Sequence, residues 1–358
     1  MRVWISSLLA SCAGAVLLAL SGCGSVAIRP GDFAEPTVRT ELQAAGIADL
    51  RDAFARSFCR HYARYRKPDD PACAHWILQA DTPALEPGAA SRLPDNAVRT
   101  VVVIPGIFGE CVSRWVTPYS ADKSELEQLG YRVIVVNVSG RGSSAQNAAR
   151  IHQFFAQHPA ERAIVIGYSK GTTDFMLAAS QPQAQAWNGR IAAFVSVAGV
   201  VNGTPLASHG EGLYQALLAR MPLALCQPED GGGVASLSYL AASQTRKAFA
   251  ARKHSYPVYS LAAIAGRGAV NPFLQPSHAL LAKLDGRNDG QVLLDDAIVP
   301  GSRFLGSFRA DHWSIALPFE DSDASLMRAF SSNNRFPRRA LIVSVLDFVN
   351  RNLPGETR

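Results

Sequence analysis

Short apolar runs recur along the chain from Arg99 onward. Most of them are rich in Val and Ile with little polar alternation, which is typical of strands buried on both faces of a parallel sheet. Amphipathic segments lie between the runs, so the pattern predicts an α/β fold with a mostly parallel, doubly wound sheet. The predicted strands are Thr100–Ile104, Arg132–Val138, Ala163–Ile166, Ala192–Val197, Pro257–Ala262 and Arg303–Phe308.

The helix candidates carry apolar side chains at helical spacing, as at Leu50, Phe54, Phe58 and Tyr62 in the first of them. Gly130, directly after the second candidate, predicts a C-terminal helix cap. The candidates are Ala48–Tyr65, Ser120–Leu129, Ser144–Phe155, Thr172–Ala179, Ser236–Ala251 and Ala340–Asn350.

Two parts of the chain depart from this alternation. Residues 23–98 precede the first predicted strand, and we expect them to form an anchor and accessory segment beside a core domain over 99–358. Residues 205–254 interrupt the strand–helix rhythm, which suits a helical cap or lid inserted over a site; peripheral helices without lid motion are the alternative. The first part of this insertion has an apolar stripe formed by Leu213, Leu217 and Met221.

The N-terminus predicts export. Arg2 is followed by an apolar run over 8–20, which indicates a secretory signal over 1–22. The run ends in Leu20-Ser21-Gly22-Cys23, which resembles the bacterial lipobox and implies lipidation of Cys23; an ordinary signal with a chance Cys and an uncleaved anchor are the alternatives. Because Gly24 follows in place of Asp, we expect the protein to be lipid-anchored in the bacterial envelope, at the outer membrane facing the periplasm.

Cysteine usage agrees with an oxidising compartment. Of six cysteines, Cys12 belongs to the predicted signal and Cys23 to the predicted anchor, which leaves four. An even number permits two disulfides, although connectivity does not follow from sequence alone. The pairings we favour are Cys59–Cys73 within the accessory segment and Cys111–Cys226 between the core and the cap.

The amount and distribution of charge along the chain argue against nucleic-acid binding and exclude little else. The formal charge of +6 and pI near 9.1 are mild, and the basic residues are scattered without an aromatic-interleaved stripe. No Cys/His spacing suggests zinc, and no metal or other cofactor is predicted. One basic cluster is interpreted as a solvated helix face or, alternatively, as a contact for anionic lipid headgroups: Arg60, Arg64, Arg66 and Lys67.

The segment Ile164–Gly171 carries the clearest chemical signal. It contains Gly-x-Ser-x-Gly between a β-branched run and a predicted helix. A serine at so sharp a strand-to-helix turn is held in a strained backbone conformation, and the flanking glycines relieve the crowding. Its hydroxyl then projects at the carboxyl edge of the sheet, near a helix N-terminus that favours negative charge. We therefore predict that Ser169 is a nucleophile; a structural glycine turn with a surface serine is the alternative.

With this motif the chain resembles the α/β-hydrolases, especially bacterial esterases and lipases, from Arg99 to its C-terminus. The resemblance implies the α/β-hydrolase fold. It also implies a triad acid at Asp289 in Asn-Asp-Gly-Gln-Val and a triad base at His312 in Ala-Asp-His-Trp, in the chain order of the family. Three other acids compete with Asp289 for that role: Asp285, Asp295 and Asp296.

The resemblance further implies an oxyanion hole formed by the backbone N–H groups of Ile107 and Lys170. The sequence departs from the family where Pro105 replaces a His, where Lys170 replaces a His or Gln, and where the stretch 197–207 lacks a Pro-His pair. The last difference weakens the lipase subtype. We expect the Lys170 side chain to point away from the site.

These features imply a serine hydrolase that cleaves carboxylic esters through an acyl-enzyme and needs no cofactor. The expected partners are a hydrophobic ester or lipid and, through the anchor, a membrane, while the oligomeric state is not indicated. Two alternatives remain: an acyltransferase using the same triad, and an inactive envelope binding protein. Among the other histidines, His209 and His278 flank the predicted site.

Overall fold

The computed structural model describes residues 46–78, 94, 96–209, 229–331 and 335–354. A seven-stranded sheet in which every neighbouring pair is parallel forms the centre, in the order β1-β7-β6-β5-β4-β2-β3. The predicted signal, Cys23, the apolar stripe of the cap and Cys226 lie outside the described residues. The strands are β1 (Ala48–Asp49), β2 (Thr100–Ile104), β3 (Arg132–Val135), β4 (Ala163–Tyr168), β5 (Ile191–Val197), β6 (Val258–Ile264) and β7 (Arg303–Arg309).

Helices cover both faces of the sheet. The apolar periodicity located the longer helices, and their observed ends differ by a few residues. Within the described ranges, no helix has the length and hydropathy of a membrane span. The helices are α1 (Arg51–Tyr65), α2 (Gly109–Val112), α3 (Lys123–Gln128), α4 (Ser144–Gln157), α5 (Lys170–Ser180), α6 (Pro205–His209), α7 (Tyr239–Ala250), α8 (Gln275–Leu281), α9 (Ser325–Arg328) and α10 (Arg338–Arg351).

Alternate residues of the central strands enter two separate cores. Val101 and Val103 of β2 pack with the side of the sheet covered by α1 and α10, whereas Val102 and Ile104 pack with α4 and α5. All five residues of β2 are buried. Because both faces are covered, the strands read as continuous apolar runs, and the predicted doubly wound parallel sheet is confirmed.

The segment before β2 takes part in the sheet. Ala48 and Asp49, predicted as the start of a helix, instead form β1, which pairs with Arg303 and Phe304 of β7. Helix α1 therefore begins at Arg51, and its aromatic residue Phe54 contacts Phe308 and Phe348 edge-on, at centroid distances of 5.9 and 5.4 Å. The expectation of a helix from Ala48 was wrong because pairing with β7 overrides local periodicity.

Three of the cysteines predicted to form disulfides lie among the described residues, and all three are disulfide-bonded. Cys59 of α1 is joined to Cys73, with the two Cα atoms 5.4 Å apart, and the bond closes the accessory segment on itself. Cys111 of α2 is also disulfide-bonded. The predicted Cys111–Cys226 pairing stays a prediction, since Cys226 is not among the described residues.

Candidate active site

Ser169 lies between the last residue of β4 and the first residue of α5. Its backbone has φ 54° and ψ −126°, a region that L-residues seldom adopt. The glycines on either side leave the space this turn needs. A Cβ on Gly167 would lie 2.8 Å from Thr172 Cα, and one on Gly171 would lie 2.7 Å from Pro105 O. The Gly-x-Ser-x-Gly spacing is thus required by close backbone approach.

Three side chains far apart in sequence form one hydrogen-bonded line. Ser169 Oγ lies 2.8 Å from His312 Nε2, and His312 Nδ1 lies 2.7 Å from Asp289 Oδ2. All three residues are buried. Because an ionised carboxylate only accepts, Nδ1–H donates to Asp289, which leaves Nε2 to accept from the serine hydroxyl. This is the tautomer in which the imidazole is able to take a proton from Ser169.

Asp289 is held by its own loop, which lies between α8 and β7. Its Oδ1 accepts hydrogen bonds from the backbone N–H groups of Gln291 and Val292, each at 2.8 Å. Gly290, directly after Asp289, has φ +95°, which a glycine adopts readily. The carboxylate is therefore oriented by two fixed donors on one oxygen and by His312 on the other.

The three competing acids have different partners. Asp285 forms an ion pair with Arg287 at 2.7 Å, and Asp295 pairs with the same arginine at 3.3 Å. Asp296 accepts a hydrogen bond from the Tyr239 hydroxyl at 2.9 Å, and burial raises the pKa of its carboxyl. The structure thus brings Asp289, and not these alternatives, to the imidazole.

The loop that carries His312 is held by Tyr168 and Asp311, which were not predicted as site residues. Tyr168, at the end of β4, donates its hydroxyl to His312 O at 2.7 Å. Asp311 is fully buried and accepts from the N–H groups of Trp313 and Ser314, at 3.0 and 2.7 Å, and from Asn271 N at 2.8 Å. An Asp at the start of a turn normally accepts hydrogen bonds from the N–H groups two and three residues further on. Asp311 does so in the order Asp-His-Trp-Ser.

The loop after β2 approaches Ser169 closely. A Cβ on Gly106 would lie 2.8 Å from Ser169 Cβ. Phe108 has φ 60°, and its N–H donates to Gly140 O at 2.9 Å. Within the part of the chain that the structure describes, the N–H groups of Ile107 and Lys170 make no backbone hydrogen bond. The oxyanion role predicted for these two N–H groups stays a prediction.

A cavity of about 290 Å³ opens at Ser169 and His312. Its wall is mostly apolar, and Trp313, Phe319 and Phe330 form an aromatic cluster with ring centroids 5.6 to 5.8 Å apart. Gln291 and Thr204 are polar exceptions in the lining. Further apolar lining residues are Val112, Val116, Leu237, Phe273, Leu274 and Leu317. Such a cavity suits an apolar ligand with a few polar groups near the reacting atoms.

His278, one of the two other histidines predicted to flank the site, is directed to a main-chain carbonyl. His278 is buried in α8 and contacts Ala265 O through Nε2 at 2.7 Å, and burial lowers its pKa. His209 lies at the end of α6. Across the described ranges, no group of three or more His, Cys, Asp or Glu side chains is arranged to hold a metal ion.

Comparison with solved structures gives a match along almost the whole chain. A metagenomic carboxyl esterase, MGS0156, is 31% identical with a TM-score of 0.75, over 95% of this chain and 99% of the esterase. The propeptide form of the Bacillus licheniformis lipase BlEst2 is 19% identical with a TM-score of 0.50, over 74% of this chain and 53% of the lipase. No family model and no curated protein matches the sequence.

The parallel sheet with helices on both faces and the serine at the turn after β4 are features of an α/β-hydrolase. Together with the match to MGS0156, they show that the chain belongs to the α/β-hydrolase superfamily, among its carboxylic ester hydrolases.

Proposed function

We propose that this protein hydrolyses carboxylic esters with Ser169 as nucleophile, His312 as general base and acid, and Asp289 as the residue that orients His312. The observation that carries the proposal is the buried line of two hydrogen bonds, 2.8 and 2.7 Å long, that joins these side chains. The strained backbone at Ser169 supports it, because strain of this kind is concentrated at functional sites.

In the first half of the reaction, Ser169 Oγ bonds to the ester carbonyl carbon while its proton passes to His312 Nε2. The tetrahedral intermediate collapses when the carbon–oxygen bond to the alcohol breaks, and His312 gives its proton to that oxygen. Water then attacks the acyl-enzyme, with His312 again taking and returning a proton, and the acid is released. Asp289 stabilises the imidazolium in both halves.

The N–H groups of Ile107 and Lys170 stabilise the oxyanion of each tetrahedral intermediate. Each such donor lowers the barrier by on the order of 3 kcal/mol. The N-terminus of α5 adds a favourable partial positive charge at the same place.

The cavity favours a hydrophobic ester as substrate. Its apolar lining binds an acyl or alkyl group by removing both surfaces from water, and no Asp, Glu, Lys or Arg is among the lining residues in the described part of the chain. A charged substrate group would be left there without a counter-charge, which is unfavourable in a mostly apolar cavity.

The test compares Ser169→Ala with a control serine variant on p-nitrophenyl butyrate. Ser169→Ala should lose at least about a thousandfold in kcat because the nucleophile is absent. Ser243→Ala, on α7, should keep wild-type kcat. A fluorophosphonate probe should label Ser169 in the wild type, located by mass spectrometry.

Wild-type rates in Ser169→Ala would reject Ser169 as the nucleophile. A wild type that neither hydrolyses the ester nor is labelled at Ser169 would favour an inactive binding protein. Product analysis with an added alcohol separates the hydrolase from the transferase. Free acid as the main product supports hydrolysis, whereas a new ester as the main product would make the protein an acyltransferase.

We also propose that Cys23 carries lipid and anchors the mature chain in the bacterial envelope, at the periplasmic face of the outer membrane. The lipobox and the apolar run before it support this proposal. Expressed in a bacterium, the wild type should partition with outer-membrane vesicles and incorporate radiolabelled palmitate. Cys23→Ser should do neither, and equal palmitate labelling of the two proteins would reject lipidation at this position.

A further inference from the structure

Beside the nucleophile lies an ion pair that the proposed reaction does not use. The Lys170 side chain runs away from the cavity and places Nζ 2.7 and 2.9 Å from the two carboxylate oxygens of Asp174, one turn further along α5. Both residues are only 1% exposed. Removing two charges from water is costly, and a buried ion pair is often no more stabilising than apolar side chains of similar volume. A contribution to stability therefore does not explain why Lys170 and Asp174 are charged.

The pair continues into the neighbouring helix. Asn147 of α4 is fully buried and donates from Nδ2 to Asp174 Oδ2 at 2.7 Å. The same amide group holds the backbone of Ser139: Asn147 Oδ1 accepts from Ser139 N at 2.8 Å, and Nδ2 donates to Ser139 O at 3.0 Å. A side-chain amide bonded to both backbone groups of one residue fixes the position and the orientation of that residue.

Ser139 lies in the loop between β3 and α4, and this loop supports the residue after Ile107. Its neighbour Gly140 accepts the hydrogen bond from Phe108 N at 2.9 Å, and Gly140 N donates to Glu110 Oε2 at 2.7 Å. The contact is tight, since a Cβ on Gly140 would lie 2.7 Å from Phe108 Cα. A shift of this loop therefore moves Phe108 and, with it, the N–H of Ile107.

We propose that the buried chain Lys170–Asp174–Asn147–Ser139 is a positioning network that fixes the two halves of the oxyanion hole relative to each other. This inference rests on the proposed function. Lys170 supplies one oxyanion donor from its main chain, and its side chain is the first link of the route to the loop that supplies the other donor. Lys170 and Asp174 are positioning residues in this scheme, since neither side chain lines the cavity.

The test removes the link while keeping the fold. In Lys170→Met/Asp174→Leu both charged side chains are replaced by apolar ones, so no unpaired charge stays buried. Tm should fall only slightly, because Asn147 Nδ2 loses one of its acceptors. The Lys170 N–H and the triad are retained. With p-nitrophenyl butyrate, kcat should fall about tenfold while KM changes by less than about twofold, because the loss is confined to the transition state. Inhibition by butylboronic acid, which forms a tetrahedral adduct on the serine, should weaken by the same factor as kcat.

The matched control replaces a buried hydrogen-bonded pair away from the cavity, His61→Leu/Asp347→Leu between α1 and α10. It should keep wild-type kcat and boronate affinity. A Lys170→Met/Asp174→Leu enzyme with kcat within about twofold of the wild type would overturn the inference. If this variant does not fold, Asp174→Asn decides: a loss of about threefold in kcat at unchanged KM supports the network, and wild-type kcat overturns it.

Failure of the network and failure of the proposed function are distinguishable. If the wild type is labelled at Ser169 and hydrolyses the ester, but both network variants behave like the wild type, only the positioning role is wrong. If Ser169 is neither labelled nor needed for hydrolysis, the proposed function itself fails.

Discussion

At the scale of single residues, close backbone approach explains several positions that carry no catalytic group. Ser169 keeps its unusual backbone because Gly167 and Gly171 let Thr172, Ile104 and Pro105 come near. In the sequence, this need for close backbone approach is visible only as glycines at a fixed spacing from the serine. The requirement at Gly106 belongs to a different loop, and it is visible only once that loop lies against Ser169.

Gly106→Ala should therefore impair catalysis without unfolding the protein. The new Cβ would lie 2.8 Å from Ser169 Cβ and 3.2 Å from Ser169 Oγ, so the serine or the loop must move. A displacement of about 1 Å at reacting groups costs on the order of a hundredfold in rate, which is the loss we expect in kcat on p-nitrophenyl butyrate. Gly189→Ala is the control, because its Cβ would meet nothing within 4 Å. Equal kcat in the two variants would contradict this account of Gly106.

At the scale of elements, the junction between α1 and α10 attaches the N-terminal segment to the sheet. Asp347 of α10 contacts His61 Nε2 at 3.2 Å and accepts from Arg351 at 2.8 Å. Burial raises the pKa of the Asp347 carboxyl, but the hydrogen bonds from His61 and Arg351 outweigh it, and the pKa is lowered overall. The folded protein therefore favours the ionised form of the Asp347 carboxyl.

This shift predicts how stability depends on pH. A carboxyl whose folded pKa lies below its unfolded value stabilises the fold fully above the unfolded pKa, near 4, and the contribution is lost as pH falls through the folded pKa. Asp347→Asn should lower the free energy of unfolding by about 2 kcal/mol at pH 7. The difference from the wild type should shrink below about pH 4. Urea unfolding at pH 7 and pH 3 measures both values, and a difference that does not change with pH would contradict the assignment.

At the scale of the whole molecule, the site is assembled where the carboxyl ends of parallel strands meet. Ser169 follows β4, and His312 follows β7, while Asp289 comes from the long connection between β6 and β7. The aromatic wall of the cavity comes from still other segments, with Phe319 after the His312 loop and Phe330 after α9. Substrate preference is therefore a property of the assembled fold.

Phe330→Ala should enlarge the cavity at this wall. Phe330 is 5% exposed and packs against Trp313 and Phe319, so its removal leaves space beside the bound acyl group. We expect kcat/KM for p-nitrophenyl decanoate to rise relative to butyrate, with a loss of stability of about 3 kcal/mol or more. A series of acyl chain lengths measures the shift. An unchanged ratio would show that the acyl group binds elsewhere in the cavity.

The proposed nucleophile was recognisable in the sequence because its requirement is local: Ser169 needs a strand, a glycine-flanked turn and a helix in immediate succession. Asp289 and His312 were assigned through the resemblance of their short loop motifs to those of the family. The continuous Val- and Ile-rich runs predicted the parallel sheet from a local requirement as well, since burial on both faces acts on each strand separately.

What depends on contacts between distant segments was decided only by the tertiary structure. Asp289 was one of four candidate acids until the fold brought it within 2.7 Å of His312. The strand Ala48–Asp49 exists because β7 offers it a partner, and the buried chain from Lys170 to Ser139 exists because α5 packs against α4. Periodicity and motifs record the surroundings of one segment along the chain, whereas hydrogen-bond partners between segments are set by packing, which no single segment specifies.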